Sequence, residues 1–139
     1  MTDFTLDRRL ETESVLIEDL RLCQVRLMND ARWPWLILVP RIVGASEIHD
    51  LTNADQALLA KETTLVAAGL KRLTKAEKIN SAAIGNIVRQ LHVHVIARST
   101  GDANWPGPVW GFEKRQDYQA AELALMIEKI RRELSEKFL

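Results

Sequence analysis

The clearest alternation of apolar and polar positions runs over Leu91–Ala97. Leu91, Val93 and Val95 fall on one side of an extended chain, and Gln90, His92 and His94 on the other. Strand patterns also mark Cys23–Met28, which ends at Asn29-Asp30, and the apolar run Trp35–Val39, closed by Pro40. Ile79–Ile84 reads as a further strand broken by Gly85-Asn86. Between these segments, Leu58, Leu59, Thr63, Val66, Leu70 and Leu73 recur at helical spacing. This predicts a long helix that starts at a Thr52 or Asn53 cap and runs to about Leu73. Leu6–Leu20 mixes charges with leucines and reads as a short helix and a turn. Ser99–Gly111 is a loop rich in glycine, proline and tryptophan, and Gln116–Leu139 is rich in helix formers. The elements predict a single α+β domain with a mostly antiparallel sheet of about five strands and flanking helices. Its core spans about residues 20–102, with a C-terminal loop and helix over 103–139.

Composition narrows the class. A chain of 139 residues with 47% hydrophobic and 27% charged residues has a globular balance. Lysine plus arginine and aspartate plus glutamate number 19 each, so the net charge is zero. Such a balance argues against a partner held by counterion release on nucleic acid. The longest apolar run, Trp35 to Val43, is interrupted by Pro40 and Arg41 and is too short to span a bilayer. The N-terminus lacks a basic start and a long apolar segment, so no signal peptide is expected. Cys23 is the one cysteine, which rules out a disulfide within the chain. These features predict a cytoplasmic protein with Cys23 as a buried strand residue.

Two of the three histidines share one face of the Leu91–Ala97 strand with Gln90. Neighbours in that row lie about 6.5–7 Å apart. Paired strand histidines suit two chemistries. They can ligate a metal, but a third ligand is then needed and no local spacing supplies one. Alternatively, one imidazole can attack phosphorus while the second donates a proton or hydrogen bond to phosphate oxygens.

The segment Gln90-Leu-His-Val-His-Val-Ile-Ala-Arg98, followed by Gly101-Asp102, resembles the histidine-triad (HIT) signature, His-x-His-x-His-x-x with apolar x. The order of Asn29-Asp30, Leu36–Pro40, His49-Asp50-Leu51, Asn80 and Gly85 is similar to that family as well. Trp105–Gly111 resembles a bacterial subgroup. The resemblance implies a HIT-like fold, a homodimer with sheets joined across the two-fold, and a nucleotide substrate. Hydrolysis or nucleotidyl transfer at the α-phosphate would proceed through a nucleotidyl-histidine. No cofactor is implied, and any Mg²⁺ would ride with the substrate. Candidate substrates are dinucleoside polyphosphates and nucleoside phosphoramidates.

Carried over residue by residue, the resemblance makes His92 the nucleophile and His94 the phosphate contact that helps the leaving group. Asn29, with Asp30 as the neighbouring choice, would bind ribose. Asn80 would lie near the phosphates, and Gly85 would let the backbone approach the nucleotide. The sequence departs from the pattern at Gln90, which stands at the first triad histidine, and at Trp35, where many members carry a further histidine. Gln90 is expected to orient His92 without titrating. A non-catalytic nucleotide sensor and a His-x-His metalloenzyme remain the alternatives. Arg98 could meet phosphate oxygens or form a surface ion pair. Trp105 and Trp110 are expected to pack the loop or an interface more than to stack on a base. His49 is expected to bond at the helix entry, and Lys71, Arg72, Lys75 and Lys78 to form a solvated face. The alternating charges from Glu128 to Lys137 predict a solvent-facing or interface stripe.

Overall fold

The computed structural model describes residues 3–138. The chain begins with a short helix, α1 (Arg8–Glu13), that runs straight into strand β1 (Ser14–Asp19). Strands β2 (Cys23–Met28) and β3 (Trp35–Pro40) follow, then helix α2 (Asn53–Thr74), β4 (Lys78–Ala82), β5 (Val93–Arg98) and helix α3 (Ala120–Phe138). The strands form one five-stranded antiparallel sheet in the order β1-β2-β3-β5-β4. This is the predicted α+β architecture.

The sheet buries both faces, by different means. On one, Val25, Leu27, Leu36, Leu38, Val93 and Val95 pack under Leu59, Val66 and Leu70 of α2 and Ile130 and Leu134 of α3. The opposite face carries Met28, Trp35, Ile37, Val39 and Ile96, covered by Leu10 of α1, Trp33 and Val109. Because strand side chains alternate, His94 falls on this second face beside Trp35, and His92, just ahead of β5, packs next to it.

Local chemistry explains the boundaries. The Thr52 hydroxyl accepts from the Asp55 N–H at 3.1 Å and starts α2. The left-handed Lys75 (φ 57°) ends it. Glu62 on α2 is 3% exposed, and its two carboxylate oxygens accept from the Leu22 and Cys23 N–H groups at 2.9 Å. That clamp fixes α2 against the β1–β2 turn. Cys23 is fully buried, and burial pushes its thiol well above the ordinary range.

Four expectations change. The strand read over Leu91–Ala97 spans Val93–Arg98, so Gln90, Leu91 and His92 lead into it and His94 is the one histidine on it. Leu6–Leu20 holds a helix and a strand rather than a helix and a turn, and β1 is an edge strand with a register shift between Leu16 and Glu18. The Ile79–Ile84 strand spans Lys78–Ala82, because Ala83 and Ile84 leave the sheet. Helix α3 starts at Ala120, after a segment tied to Asn29 through the Tyr118 N–H, and Leu139 lies outside the described residues.

Candidate active site

His92, just ahead of β5, and His94, within it, stand side by side, with ring centroids 4.9 Å apart. Both are nearly buried, at 7% and 6% exposure. They line a cleft of about 430 Å³ whose walls come from α1, β2, β3, the segment 84–88 and the loop at Trp110-Gly111. The rest of the lining is mainly apolar, with Leu10, Met28, Trp35, Ile84, Ile87 and Val88. Gly85, at φ +71°, turns the 84–88 segment over the histidines, and a β-carbon there would sit 3.3 Å from the Val88 carbonyl oxygen.

The two imidazoles have opposite tautomers, because different partners touch their Nδ1 atoms. His92 Nδ1 lies 2.7 Å from the main-chain oxygen of Gln90. A carbonyl only accepts, so Nδ1 carries the proton and Nε2 keeps its lone pair. His94 Nδ1 lies 3.0 Å from the indole Nε1 of Trp35. An indole N–H only donates, so Nδ1 is the acceptor and Nε2 carries the proton. The face therefore offers a nucleophilic nitrogen on His92 and a neutral donor on His94.

Burial, and then the nearby charge of His92, pushes His94 down to about 3. The indole donor acts in the same direction, since a protonated ring would set N–H against N–H. At neutral pH His94 gives hydrogen bonds and has no spare proton to transfer. This refines the expectation that it helps a leaving group depart. It also makes stability depend on pH. The unfolded histidine titrates near 6.5 and the folded one near 3, so between these values only the unfolded chain takes up the proton. Its contribution is intact above pH 6.5 and declines at roughly 1.4 kcal/mol per unit as pH falls toward 3. Urea titrations of the wild type and His94→Gln should diverge across this window. Parallel pH profiles would show that His94 is not held neutral.

The structure sorts the other expected site residues. Gln90 touches His92 through its main chain, while its side chain turns away. Its Oε1 accepts from the Asp7 N–H at 2.8 Å and its Nε2 donates to the Thr5 oxygen at 2.9 Å. The tautomer of His92 thus does not depend on the Gln90 side chain. Arg98 is 1% exposed and lies outside the cleft lining, so its ion pair is a buried one and not a surface one. It forks onto Asp102 at 2.8 and 2.7 Å and donates to Gly107 O at 2.8 Å and Asn80 Oδ1 at 3.2 Å. Asn80 is therefore held by Arg98 and not by the cleft. Asn29 accepts from the Tyr118 N–H at 2.9 Å. Asp30 is 2% exposed and paired with Arg32 at 2.8 Å. It lines an adjoining recess of about 260 Å³ that shares Glu13, Met28, Trp35 and Gly111 with the main cleft. Of the expected set, then, His92, His94 and Gly85 are brought together.

Trp105 packs on the Arg98 guanidinium, 5.6 Å from its ring centre, and Trp110 packs on His94 at 5.3 Å. Trp110 also lines the cleft, and its Nε1 is a buried donor with no partner among the described residues. His49 sits exposed in a single 3-10 turn, Ile48–Asp50, where Asp50 and not His49 accepts the capping bonds. The basic residues at the end of α2 are exposed, as expected. On α3, Arg132 pairs with Glu128 at 2.9 Å in the solvent-facing stripe, and the side chains of Glu136 and Lys137 lie outside the described residues. Arg9 and Glu13 of α1 enter the cleft without a local sequence signal. Among the described residues, no group of three or more His, Cys, Asp or Glu side chains could hold a metal ion. No described helix is long and apolar enough to cross a membrane.

The HIT domain family profile matches residues 9–101. A histidine-triad protein of Sinorhizobium meliloti 1021 is 59% identical, with 94% of this chain and 97% of that one covered and a TM-score of 0.92. One from Bradyrhizobium japonicum is 46% identical over 94% and 98% of the two chains, TM-score 0.92. One from Marinobacter aquaeolei VT8 is 42% identical over 98% of each, TM-score 0.94. None of the curated proteins matches the chain.

Proposed function

The chain belongs to the histidine-triad (HIT) domain family, and from that premise we propose that it cleaves nucleotide conjugates at the α-phosphate through a nucleotidyl-His92. The observation that carries this reading is the pair of opposite tautomers. His92 presents a lone pair at Nε2 and His94 an N–H at Nε2, 4.9 Å apart between ring centres in one cleft.

His92 Nε2 attacks the α-phosphorus in line. A P–N bond forms, the bond to the leaving group breaks, and the leaving group takes the electron pair. The Gln90 carbonyl, on Nδ1–H, stabilises the positive imidazolium that results. The His94 N–H holds a phosphoryl oxygen as charge shifts onto it. A polyphosphate leaves as an anion and needs no proton; an amine takes one from water. Water then attacks phosphorus, displaces His92 and releases the nucleoside monophosphate. The chain itself holds no metal in this scheme, and Mg²⁺ arrives with substrate phosphates. Dinucleoside polyphosphates and nucleoside phosphoramidates both fit, in a bacterial cytoplasmic setting.

Incubation with a fluorogenic adenosine phosphoramidate tests the reading. Release of AMP above the uncatalysed rate is expected, with an adenylyl adduct on His92 after an alkaline denaturing quench. AMP binding without turnover would make the protein a nucleotide sensor instead.

Strand β4 closes one edge of the sheet, pairing with β5 on one side only. We propose that two copies join their sheets there across a two-fold. Light scattering should then give twice the chain mass of 15.8 kDa. A monomer at micromolar concentration would refute the pairing.

A further inference from the structure

Among the residues that line the cleft, Arg9 is the sole lysine or arginine. We propose that Arg9 binds the negatively charged phosphate chain of the nucleotide, and that Gln90 is the positioning residue that holds it there. The inference rests on the nucleotide reading above and names the group that recognises the anion.

A phosphate chain entering this cleft meets apolar walls, two histidines, the uncharged Asn86 carboxamide and the Glu13 carboxylate. His94 is held neutral by burial, and Glu13 repels an anion. Arg98 is consumed by Asp102, Gly107 and Asn80, and Arg32 and Arg115, which line the adjoining recess, pair with Asp30 and Asp117. Arg9 is exposed and has no ion-pair partner among the described residues. Its guanidinium fork suits phosphate oxygens.

Helix α1 has six residues, too few to hold a shape alone. Three contacts fix it. Leu10 is 3% exposed and packs in the cluster of Met28 and Trp35. The Asp7 carboxylate caps the helix by accepting from the Arg9 N–H at 2.8 Å. The Gln90 carboxamide grips the same Asp7 through its main-chain N–H, and grips Thr5 through its oxygen. A line of contacts therefore runs from Gln90 through Asp7 to Arg9. A carboxamide donates and accepts at once without titrating, which gives position 90 a use for glutamine.

Calorimetric titration of the full chain with adenosine, AMP, ADP and ATP tests both claims. Hydrogen bonds to a charged group are each worth about 1.5–3 kcal/mol, which is about tenfold or more in affinity. Arg9→Gln is expected to weaken ATP about tenfold and leave adenosine within about twofold. Arg9→Lys should recover part of the loss. Gln90→Leu should show the same selectivity, with adenosine binding kept, and the double variant should lose little more than Arg9→Gln. General damage to the fold would weaken adenosine as much as ATP. Unchanged ATP affinity in Arg9→Gln, with normal wild-type binding, overturns the Arg9 assignment alone. Loss in Arg9→Gln with no loss in Gln90→Leu overturns the clasp. If Gln90→Leu does not fold, the exposed Arg9 still decides the anion claim. A wild type that binds none of the four ligands overturns the nucleotide reading, and this inference falls with it.

Discussion

Replacing His92 with alanine should lower turnover of an adenylated substrate by at least about a thousandfold, with AMP affinity changed only a few-fold. The size follows from what is lost. The scheme depends on a covalent intermediate, and its nucleophile is one nitrogen. His94 cannot substitute, because its Nε2 carries a proton and its Nδ1 is taken by Trp35. A thousandfold loss is about 4 kcal/mol of transition-state stabilisation. The pattern matters as much as the magnitude. His92 is 7% exposed and packs on His94, so the thermal midpoint is measured alongside turnover, and the loss of turnover should far exceed any loss of fold. A variant that keeps within tenfold of wild-type turnover would refute the covalent route. A variant that loses activity only in step with its fold would show a structural part for His92 instead.

Arg98→Ala should have its effect on stability, by about 3–5 kcal/mol. The guanidinium is 1% exposed and donates five hydrogen bonds, to Asp102 twice, Asn80, Gly107 and Ala103. Removing it strands the Asp102 carboxylate, 17% exposed, beside the oxygens of the same loop. For a domain of this size the thermal midpoint should fall by about 10–17 °C. Arg98→Lys should recover little, since an ammonium cannot span the same fork. Urea unfolding measures the loss directly. A variant as stable as wild type but deficient in nucleotide affinity would return Arg98 to the phosphate role that its place in the motif suggests.

These contrasting fates show what a sequence discloses here. The alternation over Leu91–Ala97 pointed to His92 and His94 as neighbours, although the ladder itself begins only at Val93. Strands β2 and β5 were readable from alternation and β3 from its apolar run, as was α2 from its helical spacing. Strand β1 was not. Val15-Leu16-Ile17 is an unbroken apolar run without alternation, it lies at a sheet edge, and no turn residue separates Ser14 from α1. The partners of polar side chains were less legible still. Arg98, Asn80, Asn29 and Asp30 have side chains that suit a nucleotide. Each is instead engaged by a group that folding delivers from elsewhere, such as the Tyr118 amide on Asn29, 89 residues away. The same distance hid Arg9, which reaches the cleft through contacts between residues 5–7 and residue 90.

That clasp also orders events during synthesis. The N-terminus leaves the ribosome first. Yet Leu10 docks against Met28 and Trp35, and Asp7 must wait for Gln90. A six-residue helix has no stability of its own to hold the place. Helix α1, translated ahead of the sheet it packs on, is therefore among the last parts of this fold to settle, and a nascent chain halted before residue 90 lacks His92, His94 and the glutamine that fastens that helix.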